Sequence, residues 1–177
     1  MKTKGLWILI LILTLSGCAG MTVQSAKPVA LNKDATWTIL PFANNTETPL
    51  ANERAAALAA GILQSDNRHV VGSLPVRSRT QSLLGGDWKK EYAEALSHAH
   101  NDGTHYALGG SVDEWNYRAG INAEPVVTMT LWVVNVPEDK VIWTGVGSAH
   151  GGSLGRGGTG GLAQDLIHRL IDRALHK

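Results

Sequence analysis

Pro125-Val126-Val127-Thr128-Met129-Thr130-Leu131-Trp132-Val133-Val134-Asn135-Val136 alternates with a period of two through its centre. Val127, Met129, Leu131 and Val133 fall on one wholly apolar side, and Thr128, Thr130 and Trp132 on the other. Successive side chains of a strand point to opposite faces, so one face of this segment needs a hydrophobic cover and the other does not. Such a strand belongs in a sheet with helices mainly on one side.

The flanking sequence supplies both partners and cover. Pro137-Glu138-Asp139-Lys140 is a compact turn into a β-rich run over 141–148, which makes a hairpin. Residues 104–117 are a third β-rich run, and shorter strands are predicted over 37–42 and 68–71. Residues 52–64 are a strong, alanine-rich helix former with Asn52 as cap; the small side chains allow close packing on a sheet. A second helix is predicted over 88–100 behind Asp87, with Tyr92, Leu96 and Ala99 on one face. The last, over 162–176, has an apolar stripe of Leu162, Leu166, Ile167, Leu170, Ile171 and Ala174 opposite Asp165, Arg169 and Asp172. The order β-α-β-α-β-β-β-α gives an α+β fold, a mixed β-sheet with helices mainly on one face.

The N-terminal end does not belong to that fold. Lys2 and Lys4 precede an apolar run over 6–15, and Leu15-Ser16-Gly17 lead to Cys18, the single cysteine of the 177 residues. The run is too short for a typical spanning helix and reads as a cleaved export signal. Leu-Ser-Gly-Cys is the pattern of a bacterial lipoprotein signal, in which the thiol is acylated and the cysteine becomes the new N-terminus. Ala19 in place of an aspartate favours the outer membrane. The expected organisation is a signal peptide over 1–17, an acylated Cys18 with a short tether over 18–34, and a single α/β domain over 35–177. Fully extended, the tether reaches about 50 Å.

With one cysteine no internal disulfide framework exists, and the domain is held together by its core. Removal of Lys2 and Lys4 takes two of 16 basic residues and leaves 14 against 15 acidic ones, a formal charge of −1. That balance excludes a nucleic-acid binder by charge.

Three chemical motifs fail on inspection. Gly155, Gly157 and Gly160 match G-x-G-x-x-G, but the preceding strand ends several residues early, and no strand bearing a ribose-binding acid follows. Neither a phosphate loop with its lysine nor a G-x-S-x-G elbow is present, so no cofactor and no enzymatic activity are expected. His98, His100 and His105 resemble metal ligands only at first sight: positions two apart on a helix face different ways, and Asp102 alone does not complete a set. No metal is expected there.

Two features remain. The glycine loop over 151–161 carries one sizeable apolar side chain, Leu154, and one charge, Arg156. It is either a plain connection or a lip that meets lipid headgroups through those two residues. Asp113 and Glu114 lie mid-strand, where adjacent residues face opposite sides, so at most one is expected on a buried face, with Arg118 as a partner. They are either solvated acids or, beside Trp115 and Tyr117, a surface suited to a cationic or sugar-like ligand.

Ile39-Leu40-Pro41-Phe42-Ala43-Asn44-Asn45-Thr46, the alanine helix, Tyr106-Ala107-Leu108-Gly109-Gly110-Ser111-Val112, the Trp132 and Trp143 hairpin, and the glycine loop before a last helix extend over nearly the whole mature chain. Together with the lipoprotein signal they resemble the PelC family, outer-membrane lipoproteins of Pel exopolysaccharide export in biofilm formation. That family sits within a wider group of TolB N-terminal-like α/β sandwiches, which includes the curli secretion lipoprotein CsgG and the penicillin-binding-protein activator LpoB. The resemblance implies a non-enzymatic homo-oligomeric ring, with a dodecamer as candidate size, on the periplasmic face of the outer membrane. It implies as partners the porin-like barrel of PelB, outer-membrane lipid, and a cationic, partly deacetylated amino-sugar polymer guided by an acidic surface, for which Asp113 and Glu114 are the candidates. The family's aromatic contact to lipid has no counterpart within 151–161, where Leu154 stands in its place. The alternative is a monomeric LpoB-like regulator of a periplasmic cell-wall enzyme, which needs a long disordered tether.

Overall fold

The computed structural model describes residues 20–71, 87–118, 123–151 and 158–176. Among them are seven strands, β1 (Gly20–Ser25), β2 (Thr36–Ile39), β3 (Ala43–Asn44), β4 (His69–Val70), β5 (Tyr106–Arg118), β6 (Glu124–Asn135) and β7 (Lys140–His150). Three helices accompany them, α1 (Ala51–Ser65), α2 (Trp88–Asn101) and α3 (Gly158–Leu175). The sheet runs β1-β7-β6-β5-β2-β4, and β3 pairs with β5. The three long strands are antiparallel, whereas β2 is parallel to both β5 and β4. The fold is α+β on a mixed open sheet.

The period-two pattern of β6 organises the core. Val127, Met129, Leu131 and Val133 are buried together with Trp37, Phe42, Leu108 and Trp143 under α1 and α3. The alanines of α1 bring its backbone close to the sheet: Ala51, Ala55, Ala56 and Ala59 are all buried. Helix α3 contributes Leu166, Ile167, Leu170 and Ile171, the stripe read from its sequence. Helix α2 lies on the opposite face, where Ala99, Tyr92 and Leu96 meet Leu40, Ala107, Val134 and Trp132. Asp87 caps it by accepting from the amides of Lys89 and Lys90 at 3.0 and 3.3 Å, which satisfies two otherwise orphaned donors.

Three local features depart from the sequence reading. Within the segment read as a tether, β1 pairs antiparallel with β7, turns Met21 and Val23 onto the core and leaves Thr22 and Gln24 exposed. Its alternation spans only two apolar residues, too few to stand out from polar sequence. The N-cap of α1 is Leu50, at φ 61°, and Asn52 instead donates to the Phe42 carbonyl at 3.1 Å. Helix α3 starts at Gly158, four residues before Leu162, because its packing outweighs the poor helix propensity of Gly160 and Gly161.

Candidate functional site

The face of β5, β6 and β7 that turns away from α1 and α3 is only partly covered by α2. Beyond the reach of α2 it carries Ser111, Thr128, Thr130 and Ser148, half-buried, and Val146, which is 42% exposed. Here the expectation that the two acids face opposite sides is corrected. A β-bulge between Val112 and Glu114 interrupts the register: Val112 faces Met129, Glu114 faces Thr128, and Asp113 is the extra residue. One inserted residue cancels one step of alternation, so both carboxylates reach the same face.

Their contacts establish that placement. Asp113 accepts from Asn45 Nδ2 at 2.7 Å, from Ser111 Oγ at 3.2 Å and from Thr130 Oγ1 at 3.4 Å. Glu114 Oε2 lies 3.2 Å from Thr128 Oγ1, which is itself 3.0 Å from Ser148 Oγ. A hydroxyl has one proton and two lone pairs, so Thr128 serves the carboxylate while Ser148 completes the chain. Arg118, the expected ion-pair partner, pairs with neither acid among the described residues. Both charges are held by neutral donors and stay available to a cation, with Asp113 exposed and Glu114 half-buried.

An aromatic cluster borders this surface. Trp132, on the same face of β6 as Thr128 and Thr130, donates Nε1–H to Tyr92 Oη at 3.1 Å. Tyr92 packs in a tilted arrangement against Trp88, with ring centroids 5.4 Å apart, and the Trp88 Nε1–H goes to the Pro41 carbonyl at 2.8 Å. Gly109 makes room, because a Cβ there would overlap the Trp132 indole. Burial pushes the Tyr92 phenol above its ordinary value of 10.0, the Trp132 hydrogen bond works against this, and the charge of Asp139 adds to it.

The other sequence candidates fall elsewhere. Cys18, Leu154 and Arg156 lie outside the described residues. His105 Nδ1 is 2.9 Å from Thr36 Oγ1, and His100 Nδ1 is 3.4 Å from the Val136 carbonyl, so the two rings serve different contacts. An aromatic does stand against the start of α3. Tyr117 is 55% exposed at the end of β5, and its hydroxyl sits against Gly158, the first residue of α3 and one with positive φ. Tyr117 is far from residues 151–161 in sequence, and β5 and α3 meet only in the fold.

No protein-family model matches the chain, and no curated protein matches it. Solved structures do. The PelC dodecamer from Paraburkholderia phytofirmans superposes with a TM-score of 0.70 at 26% identity, over 89% of this chain and 100% of that one. A variant of the same dodecamer in a second space group gives 0.72 at 27%, with the same coverage. The chain is PelC-like. Lipoprotein GNA1162 from Neisseria meningitidis shares the fold of the PelC-like chain at a TM-score of 0.56 and 19% identity, over 78% of this chain and 96% of its own.

Proposed function

We propose that this PelC-like chain is a non-enzymatic lipoprotein of Pel-type exopolysaccharide export. It is anchored through Cys18 at the periplasmic face of the outer membrane and assembles into a dodecameric ring. There it guides a cationic amino-sugar polymer toward the porin PelB. The observation that carries this reading is the likeness to the PelC dodecamer over the full length of that chain. Asp113 and Glu114, brought to one open face by the bulge, are the guiding acids. Repeated around a ring, two modest charges become a continuous attractive field, although the mature chain is nearly neutral. Leu154 and Arg156 remain the proposed lipid contacts of the loop that leaves β7.

The monomeric regulator of a periplasmic enzyme is the weaker reading, because β1 takes residues 20–25 out of any free tether. The test is the mass of the protein, measured by light scattering across concentration for the chain from residue 19 and by mass photometry for the acylated protein on bilayers. A discrete dodecamer in either setting supports the ring. A strict monomer in both would transfer the assignment to the regulator.

A further inference from the structure

A groove of about 530 Å³ runs between the N-terminal halves of α1 and α3. It is lined by Trp115 of β5, only 3% exposed, by Ala57, Leu58 and the exposed Arg54 of α1, and by Thr159, Gly160 and Gln164 of α3. The groove exists because the residues where the two helices part are small. A Cβ on Gly160 would meet nothing within 4 Å, and Ala57 is exposed. Its volume falls within the roughly 300–1,000 Å³ typical of ligand pockets.

The position of the groove in the fold indicates what fills it. Gly20, the start of β1, pairs with His150, the end of β7. The Gly151 amide donates to the Pro125 carbonyl at 3.1 Å, and Tyr117 contacts Gly158. The starts of β1, β6 and α3 and the ends of β5 and β7 therefore share one end of the molecule. The first turn of α1 is held there too, since the Thr48 hydroxyl just before it bonds to the Trp115 carbonyl. Cys18 precedes Gly20 by two residues, so their Cα atoms are at most about 7 Å apart. If Cys18 is acylated, as in the reading above on which this inference rests, the same end stands at the bilayer surface. Strand β5 is three strands from β1, about 14 Å away across the sheet.

We propose that the groove takes one acyl chain of a bilayer phospholipid, with Arg54 at its phosphate. The apolar part of the lining, Ala57, Leu58 and Trp115, suits a hydrocarbon chain, and the exposed Arg54 guanidinium suits a phosphate through paired hydrogen bonds. The occupant is a lipid drawn from the bilayer, because the chains on Cys18 stay in the membrane to anchor the protein. Lipid seated in this way fixes the orientation of the domain on the membrane, which one flexible linkage at Cys18 does not.

The test uses the acylated full chain in phosphatidylcholine and phosphatidylglycerol vesicles whose oleoyl chains are dibrominated, a short-range quencher of tryptophan. The contribution of Trp115 is the difference between the wild type and Trp115→Phe. A quenched Trp115 contribution is expected, with at least a threefold loss of quenching in Ala57→Phe, which fills the groove, and in Arg54→Glu. Both substitutions are at exposed positions, and the fold is expected to stay intact. Equal quenching of wild type and Trp115→Phe overturns the proposal, as does loss of oligomer in Ala57→Phe, which would assign the groove to a second copy of the chain. Flotation with the vesicles and the intact mass of the protein report on the anchor independently. If Cys18 carries no lipid, the anchoring part of the proposed function fails, and a short-chain dibrominated phosphatidylglycerol in solution then decides the groove by the same difference. If the protein floats and assembles but Trp115 is not quenched, the groove alone fails.

Discussion

Asp113 and Glu114 are consecutive in a β-strand and yet lie on the same face of the sheet, Asp113 against Thr130 and Glu114 against Thr128. The bulge that brings them together sets two carboxylates on an open surface without a cationic partner among the described residues. If they guide a cationic polymer, Asp113→Asn with Glu114→Gln should lower binding of a glucosamine oligomer several-fold at low ionic strength. The wild type should lose its advantage as salt is raised to about 0.5 M, where the screening length falls to a few ångströms. Calorimetric titration of the two proteins checks this. Equal affinities at low salt remove the acids from the site.

Gly109 lies directly under the Trp132 indole. A methyl group there has no free volume to enter, and Trp132 cannot yield without losing its bond to Tyr92. Gly109→Ala is expected to destabilise the domain by about 1–3 kcal/mol through overpacking. Urea unfolding measures this, and a midpoint at or above that of the wild type would show that the indole moves freely.

Strand β1 is predicted to be a structural part of the domain. A chain that begins at Ala26 would uncover the hydrogen-bonding edge of β7 and remove Met21 and Val23 from the core. We expect a loss of about 2–3 kcal/mol, together with concentration-dependent association of the exposed edge. Comparison of thermal unfolding at two protein concentrations separates the two effects.

Tyr92 gives a pH dependence whose sign follows from its raised phenol. Because burial favours the neutral form, the unfolded chain ionises first as pH rises. The stabilisation is complete below the ordinary value of 10.0 and declines as pH climbs from there through the raised folded value. Tyr92→Phe should be less stable at pH 7 by about 1 kcal/mol, since Trp132 Nε1 loses its acceptor. It should also show a smaller loss than the wild type between pH 9 and about 11. Urea midpoints at both pH values test the pair of expectations, and parallel declines would remove Tyr92 as the cause.

Leu170 of α3 is fully buried against the sheet. Its replacement by alanine leaves a cavity in a close-packed region, and a cost of about 2–5 kcal/mol is expected. A shift in the unfolding midpoint of that size, without a change of slope, would identify α3 as part of the same cooperative unit as the long strands.

The sequence by itself determined the architecture wherever the signal is local and repeated. Alternation from Val127 to Val133, the Asp87 cap, the alanines of α1 and the stripe from Leu166 to Ala174 each state a periodicity or a cap chemistry that the backbone must satisfy. What only the tertiary structure decided depends on pairing between distant segments. The bulge at Asp113 is a property of the register of β5 against β6, and composition carries no sign of it. Strand β1 exists because β7 offers a free edge, not because residues 20–25 have a strong preference of their own. Tyr117 meets Gly158, and Arg54, Trp115 and Gly160 share a groove, across separations in sequence that no window can join. Periodicity identifies the elements and the face each one buries. Their relative placement is fixed by the packing of whole surfaces, and the candidate sites lie where those surfaces leave a gap.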